Sequence, residues 1–180
     1  MKCTSFVYRG NELLVAKNFD NNGMRFGTEG YMDIRKVNLS DIDMLVQNRL
    51  EFVHSIRKID DKEAFKRLTK EYFQKYLEDN SILSFVALDN GKIVSSCILC
   101  IYQTLPTPSC LSGKTGLLLN VYTLKDYRRK GLAYKLLSLL IEEAKGLGLG
   151  KIQLDYTDDG YQLYKKLGFK ELDREMVLKL

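Results

Sequence analysis

The sequence holds a single histidine, four cysteines and two prolines in 180 residues. Zinc sites built on several histidines are therefore excluded, and His54, set among the apolar residues of a predicted helix, is explained by helix surface or core packing. The cysteines, at 3, 97, 100 and 110, are too few and too scattered for a disulfide scaffold, so reduced thiols are expected. Cys97 and Cys100 form a C-x-x-C within the apolar, β-rich stretch KIVSSCILCIY. A separation of three in a strand sends side chains to opposite faces, so the two are read as structural, with no shared metal. No run approaches the roughly 18 apolar residues of a membrane span. The opening MKCTSFVYRGNELL also lacks the uninterrupted apolar stretch of a signal peptide, so a cytoplasmic protein without a membrane partner is expected. Charge of one sign is not in large excess: 28 basic against 23 acidic residues give a net +5, mixed along the chain. That describes a solvated surface, with no nucleic-acid-binding tail.

Hydrophobic residues make up 45% of the chain, enough at this length for one well-buried core. Residues 5 to 8 and 13 to 16 read as a hairpin around RGN, and 31 to 37 as a short strand. LSDIDMLVQNRLEFVHSI places Ser40 and Asp43 in capping-box spacing ahead of Ile42, Leu45, Val46, Leu50, Val53 and Ile56 at helical period. A second helix follows over 61 to 79. Strands at 82 to 88 and 92 to 102 flank the hairpin signal DNG, and both prolines fall in a loop at 103 to 114. The remaining order is a strand at 115 to 124, a helix from about 129 to 145, a strand at 151 to 156, a short helix at about 159 to 167, and strands at 169 to 172 and 175 to 179. This is an α/β chain without internal repeats.

Two glycine-containing stretches are set aside. SGKTG contains the Gly-Lys-Thr of a P-loop, but Pro108 stands where the first glycine belongs, and a strand follows instead of a helix. GLGLG, residues 146 to 150, lies after a helix and before a strand, the reverse of a dinucleotide loop, and reads as a helix stop.

DYRRKGLA, residues 126 to 133, has the right order. It carries Arg128, Arg129 and Lys130 from a strand into a helix start, where the positive end of the dipole disfavours cations. An anionic ligand on the amides of 129 to 133 removes the conflict, and phosphate is the natural choice. Gly131 permits close approach of the backbone, and Ala133 keeps the first turn low. The alternative is that the cations are solvated and the amphipathic helix behind them folds without a ligand.

RRKGLA matches the R/Q-x-x-G-x-G/A motif of the GNAT superfamily of N-acetyltransferases, and LYKKLGF resembles that superfamily's second recurring segment. The resemblance extends in element order from about residue 31 to 180. It implies a mixed, mostly antiparallel central sheet with a splayed parallel strand pair, flanked by helices. It further implies that Arg128, Arg129, Lys130, Gly131, Leu132 and Ala133 hold the pyrophosphate of acetyl-CoA as cosubstrate. Val121, Tyr122 and Thr123 would offer backbone groups to the pantetheine arm, like an added strand. Tyr164 occupies the position of the usual general acid, able to protonate the departing thiolate. Its alternative is packing with Tyr161 on a short helix ended by Gly168. Asp158 stands where many relatives carry an asparagine that contacts the pantetheine. Glu51 is a candidate general base because its helix borders the acceptor site in relatives; water is the other option. The implied reaction is direct acetyl transfer to a primary amine, on a small molecule or a peptide, in a ternary complex. A non-catalytic acyl-CoA-binding or regulatory protein is the alternative, and a homodimer is left open.

Residues 1 to 30 are read as an added β-hairpin. CTSFVYRGNELLVAKNFD weakly resembles the start of cysteine-type N-terminal nucleophile amidases, but Lys2 precedes Cys3, Lys17 replaces an arginine, and the rest of that fold is absent.

Overall fold

The computed structural model describes residues 32–172 and Leu178, together with the backbone of residues 6–9 and 12–15. Cys3 and, apart from Leu178, the strand expected at 175 to 179 lie outside the described residues. The elements run β1 (Phe6–Arg9), β2 (Glu12–Val15), β3 (Met32–Lys36), α1 (Ile42–Ile56), α2 (Lys62–Tyr76), β4 (Ile82–Asp89), β5 (Lys92–Gln103), β6 (Lys114–Thr123), α3 (Leu132–Gly146), β7 (Lys151–Leu154) and α4 (Asp158–Lys166). They form a sheet of order β2-β1-β3-β4-β5-β6-β7, antiparallel throughout except for β6 and β7. Among the described residues the hairpin of β1 and β2 joins it through the pairing of Phe6 with Ile34.

Each face of the sheet buries its own core. Leu132, Leu136, Leu137, Leu140 and Ala144, spaced three and four apart on α3, pack with Phe85, Cys97, Leu99 and Leu118 on one side. Ile42, Leu45 and Val46 of α1 and Phe73 of α2 pack with Ile82, Val86 and Ile98 on the other. Cys97 belongs to the first core and Cys100 borders the second, as strand alternation requires, and no metal-binding cluster occurs among the described residues. α2 is the thin element: Phe73 is its buried residue, while Leu68 and Tyr72 are exposed. His54 is exposed on α1.

The start of α1 differs from the sequence expectation. The capping box is not Ser40 with Asp43 but Asn38 with Asp41, because a 3-10 turn over Leu39–Asp41 precedes the helix and moves the cap two residues back. Asn38 Oδ1 accepts the Ser40 N–H at 2.9 Å, and Asp41 Oδ2 accepts the Asn38 N–H at 2.9 Å. Arg35 Nη1 and Nη2 then donate to the two Asp41 oxygens at 2.6 and 2.7 Å. Burial by itself raises the Asp41 pKa, yet the bonds from Arg35 and the Asn38 amide outweigh it and hold the carboxyl below its ordinary value. A depressed folded-state pKa stabilises the protein above about pH 4, and that contribution disappears as pH falls through the folded value. Asp41→Ala is expected to cost about 2–3 kcal/mol, less than a fully buried pair because Arg35 keeps some solvent contact. Chemical denaturation at neutral pH and again near pH 3 checks this, since the gap between variant and parent should narrow in acid.

Residues 169–172 carry no regular secondary structure, in contrast to the strand expected there. Among the described residues no strand lies beside them to pair with, and a strand exists only through its partner. The helix expected from residue 129 begins instead at Leu132, with Gly131 as its N-cap. GLGLG is the helix stop that its order suggested: the Leu149 and Gly148 amides close back onto the carbonyls of Ala144 and Lys145.

Candidate functional site

β6 and β7 pair in parallel for only four positions, Thr115 with Lys151 through Leu118 with Leu154. At Leu119 a bulge intervenes: Ile98 of β5 faces Asn120, and Leu99 faces Leu118. Beyond it β6 stays paired with β5 through Val121, Tyr122 and Thr123, while β7 has ended. Among the described residues the β7-side edge of residues 119 to 123 thus has no ladder partner, and a gap opens between the strands. Val121 and Leu154, on either side of this gap, pack against the α3-side core, and Tyr122 stacks on Phe52 of α1 at 5.7 Å.

The chain leaves β6 through a 3-10 turn at Lys125–Tyr127 and reaches α3 in two positive-φ steps, Arg129 (φ 62°) and Gly131 (φ 77°). The three cations therefore precede the helix rather than belonging to it. Arg128 Nε donates to the Thr123 carbonyl at 3.1 Å, and Lys130 Nζ lies 4.9 Å from the centre of the Tyr127 ring. No side chain caps α3, and among the described residues no acceptor meets the amides of residues 129 to 134. A Cβ built on Gly131 would touch nothing within 4 Å. Open space thus stands before unpaired N–H groups at a positive helix end, which is what a pyrophosphate requires.

Tyr164 is held by the way α4 stops. Gly168, at φ 90°, is the left-handed residue that ends the helix. Its amide and that of Phe169 return to the carbonyls of Lys165 and Tyr164 at 3.1 and 3.0 Å. This closure brings Phe169 edge-on to the Tyr164 ring at 5.7 Å, so the glycine and phenylalanine of LYKKLGF act as a clamp on the tyrosine. Gly160 makes room for the other side of the ring, since a Cβ there would lie 2.8 Å from it. The partner expected from packing alone, Tyr161, stacks on Tyr156 instead. Tyr164 borders the same core as Val121 and Leu154, and among the described residues its hydroxyl makes no hydrogen bond. Burial, with a smaller contribution from Cys97, pushes its pKa up to about 12 and keeps it protonated.

Two sequence candidates fall elsewhere. Asp158 is the first residue of α4, exposed, where it complements the helix dipole; it lies roughly 240° around the helix from Tyr164. Glu51 accepts from Gln47 Nε2 at 3.2 Å and lines a cavity of about 390 Å³ with Asp43, Met44, Asn48, Lys92 and Ile93. No hydrogen bond joins it to Tyr164 among the described residues.

The α1 residue that reaches the bulge is Arg49, which sequence reasoning missed. Its Nη1 donates to the Leu119 carbonyl at 2.9 Å and to Asn120 Oδ1 at 3.1 Å. Asn120 Nδ2 donates to Ser96 Oγ at 2.9 Å, and Ser96 donates to Asn48 Oδ1 at 2.6 Å. Asn48, Ser96 and Asn120 are all buried. The available signal was polar residues inside otherwise apolar strands, KIVSSCILC and GLLLNVY, with Asn48 three residues after Leu45 on the apolar stripe of α1.

Residues 50–169 match the family model for the acetyltransferase (GNAT) family. Among solved structures, a predicted acetyltransferase with acetyl-CoA from Clostridium acetobutylicum is 27% identical, with a TM-score of 0.76 over 83% of this chain and 96% of that one. A GCN5-related N-acetyltransferase from Ralstonia eutropha JMP134 is 22% identical, with a TM-score of 0.74 over 83% and 99%. An aminoglycoside N-acetyltransferase in complex with CoA is 18% identical, with a TM-score of 0.67 over 87% and 99%. No curated protein matches the chain.

Proposed function

We propose an amine acetyltransferase, on the premise that this chain belongs to the acetyltransferase (GNAT) family. Acetyl-CoA is the cosubstrate, and the observation that carries this is the row of unpaired amides at residues 129 to 134 beside the β6–β7 gap. Those amides and the cations ahead of them bind pyrophosphate, and the free edge of Val121 to Thr123 takes the pantetheine amides as a strand would. Bound acetyl-CoA supplies an activated acyl carbonyl. Tyr164 donates its proton to the departing thiolate, and its raised pKa keeps that proton available across the physiological range. Transfer is direct, with amine and acetyl-CoA bound together. The amine loses a proton to water or to Glu51, whose place beside the α1 cavity keeps it a candidate. The acceptor is a primary amine on a small molecule or peptide, and residues 31 to 180 form the transferase domain, extended by the 1 to 30 hairpin. The chain works in the cytoplasm; among the described residues, no helix is long and apolar enough to cross a membrane.

A thiol-release screen with acetyl-CoA across small amines, polyamines, aminoglycosides and peptides tests the reading. Acetylation of at least one class supports it. CoA binding with no acetylated amine moves a non-catalytic acyl-CoA-binding role ahead. The N-terminal resemblance predicts a null result of its own: Cys3→Ser leaves acetyl transfer unaltered, and a large loss of turnover in a folded variant would assign the hairpin a catalytic part.

A further inference from the structure

Arg49 is a half-buried cation that forms no ion pair among the described residues. A guanidinium carries five N–H donors, two of them on Nη1. Those two are occupied by the Leu119 carbonyl and Asn120 Oδ1. Among the described residues the Nε–H and both Nη2 protons have no acceptor, and together they make the flat edge that meets a carboxylate or phosphate with two parallel bonds. One face of the group is covered by Phe52, 5.8 Å from its Cζ.

The network behind it adds to the donor excess. Arginine can only donate, so Asn120 must present its oxygen to Arg49 and its nitrogen to Ser96, and Ser96 must donate onward to Asn48. The chain of bonds runs one way and ends at Asn48, whose Nδ2 is a buried donor with no partner among the described residues. Among the described residues no carboxylate balances the cluster, and Arg57 adds a like charge that, after burial itself, lowers the Arg49 pKa, while Cys100 opposes the shift. If the role of Arg49 were only to bracket the bulge carbonyl, an uncharged amide could fill it without the desolvation cost of a charge.

We propose that Arg49 reads an anionic group on the acceptor, so that the substrate is an amine that also carries a carboxylate or phosphate. This rests on the acetyltransferase reading for its location: the guanidinium is anchored on the Leu119 bulge, where β6 parts from β7. The oxyanion lies on the Nε–Nη2 edge and the amine extends from it toward the acyl carbonyl. Polycationic amines, polyamines and aminoglycosides among them, are repelled.

The test compares matched pairs with the intact protein and acetyl-CoA. The carboxylate arm sets amino acids against their carboxamides; the phosphate arm sets amino-sugar phosphates against the free amino sugars. In wild type, kcat/KM is expected to be at least tenfold higher for the anionic member in one arm, which identifies the group. Arg49→Gln should collapse that ratio toward one, and Arg49→Lys, which keeps the charge but loses the fork, should leave an intermediate value. Equal use of both members, or preference for neutral or cationic amines, overturns the proposal, and this wild-type comparison stands even if a variant fails to fold. A binding arm separates it from the catalytic reading: inorganic phosphate and N-acetylated amino acids are titrated calorimetrically into the CoA-loaded protein. Saturable binding that Arg49→Gln abolishes, with no amine acetylated, keeps the anion site and sinks the enzyme. The absence of both binding and discrimination sinks the anion site.

Discussion

Tyr164→Phe is expected to lower turnover by on the order of a hundredfold or more while CoA affinity changes little. The substitution keeps the ring, so the edge contact with Phe169 and the fit against Gly160 survive, and only the hydroxyl is lost. Because that hydroxyl has no hydrogen-bond partner among the described residues, its removal should also leave stability nearly unchanged. The pH profile offers a second readout. A phenol with its pKa raised to about 12 stays protonated where an ordinary tyrosine has begun to ionise, so wild-type turnover should show no falling limb from this group up to about pH 10. A loss smaller than about threefold would make Tyr164 structural. The thiolate, with a pKa near the ~8.5 of cysteine, would then leave unaided.

Gly131→Trp is the other large effect. Gly131 sits at φ 77° with open space where a Cβ would go, so the indole meets no protein atom at its root and enters the region in front of the unpaired amides. Left-handed backbone costs a non-glycine residue about 1–2 kcal/mol, an amount the two cores should tolerate. CoA affinity measured by calorimetry should fall at least a hundredfold, with helix content by circular dichroism unchanged. Undiminished affinity in a folded variant would place the pyrophosphate elsewhere.

How legible these features were depended on the range of the interactions behind them. The DNG hairpin and the helix stops at GLGLG and Gly168 were readable because each is closed by hydrogen bonds within about six residues, so the pattern and its partner lie in one window; the contact of Phe169 with Tyr164 was not read, since Tyr161 was the expected partner. The cap of α1 was misread for a related reason. Two overlapping polar pairs, Asn38 with Asp41 and Ser40 with Asp43, offered the same spacing, and Arg35 on a neighbouring strand favours the first. The strand expected at 169 to 172 needed a neighbouring strand to pair with, and a stretch of sequence does not state which strand will lie beside it.

For the site, the sequence by itself determined the parts whose chemistry is local: the glycine and cations ahead of α3, the tyrosine locked by its helix stop, and the opposite faces of Cys97 and Cys100. Tertiary structure alone decided which groups meet across the sheet. The gap exists because β7 ends at Leu154 while β6 continues to Thr123, a mismatch between strands joined through a whole helix. Arg49 became part of the site because α1 lies across β6, bringing together residues 70 and 71 positions apart in the chain. Glu51, two residues along the same helix, turned toward a different cavity. A helical pattern states which residues share a face; it does not state what that face will touch, because that is set by long-range packing that no local period encodes.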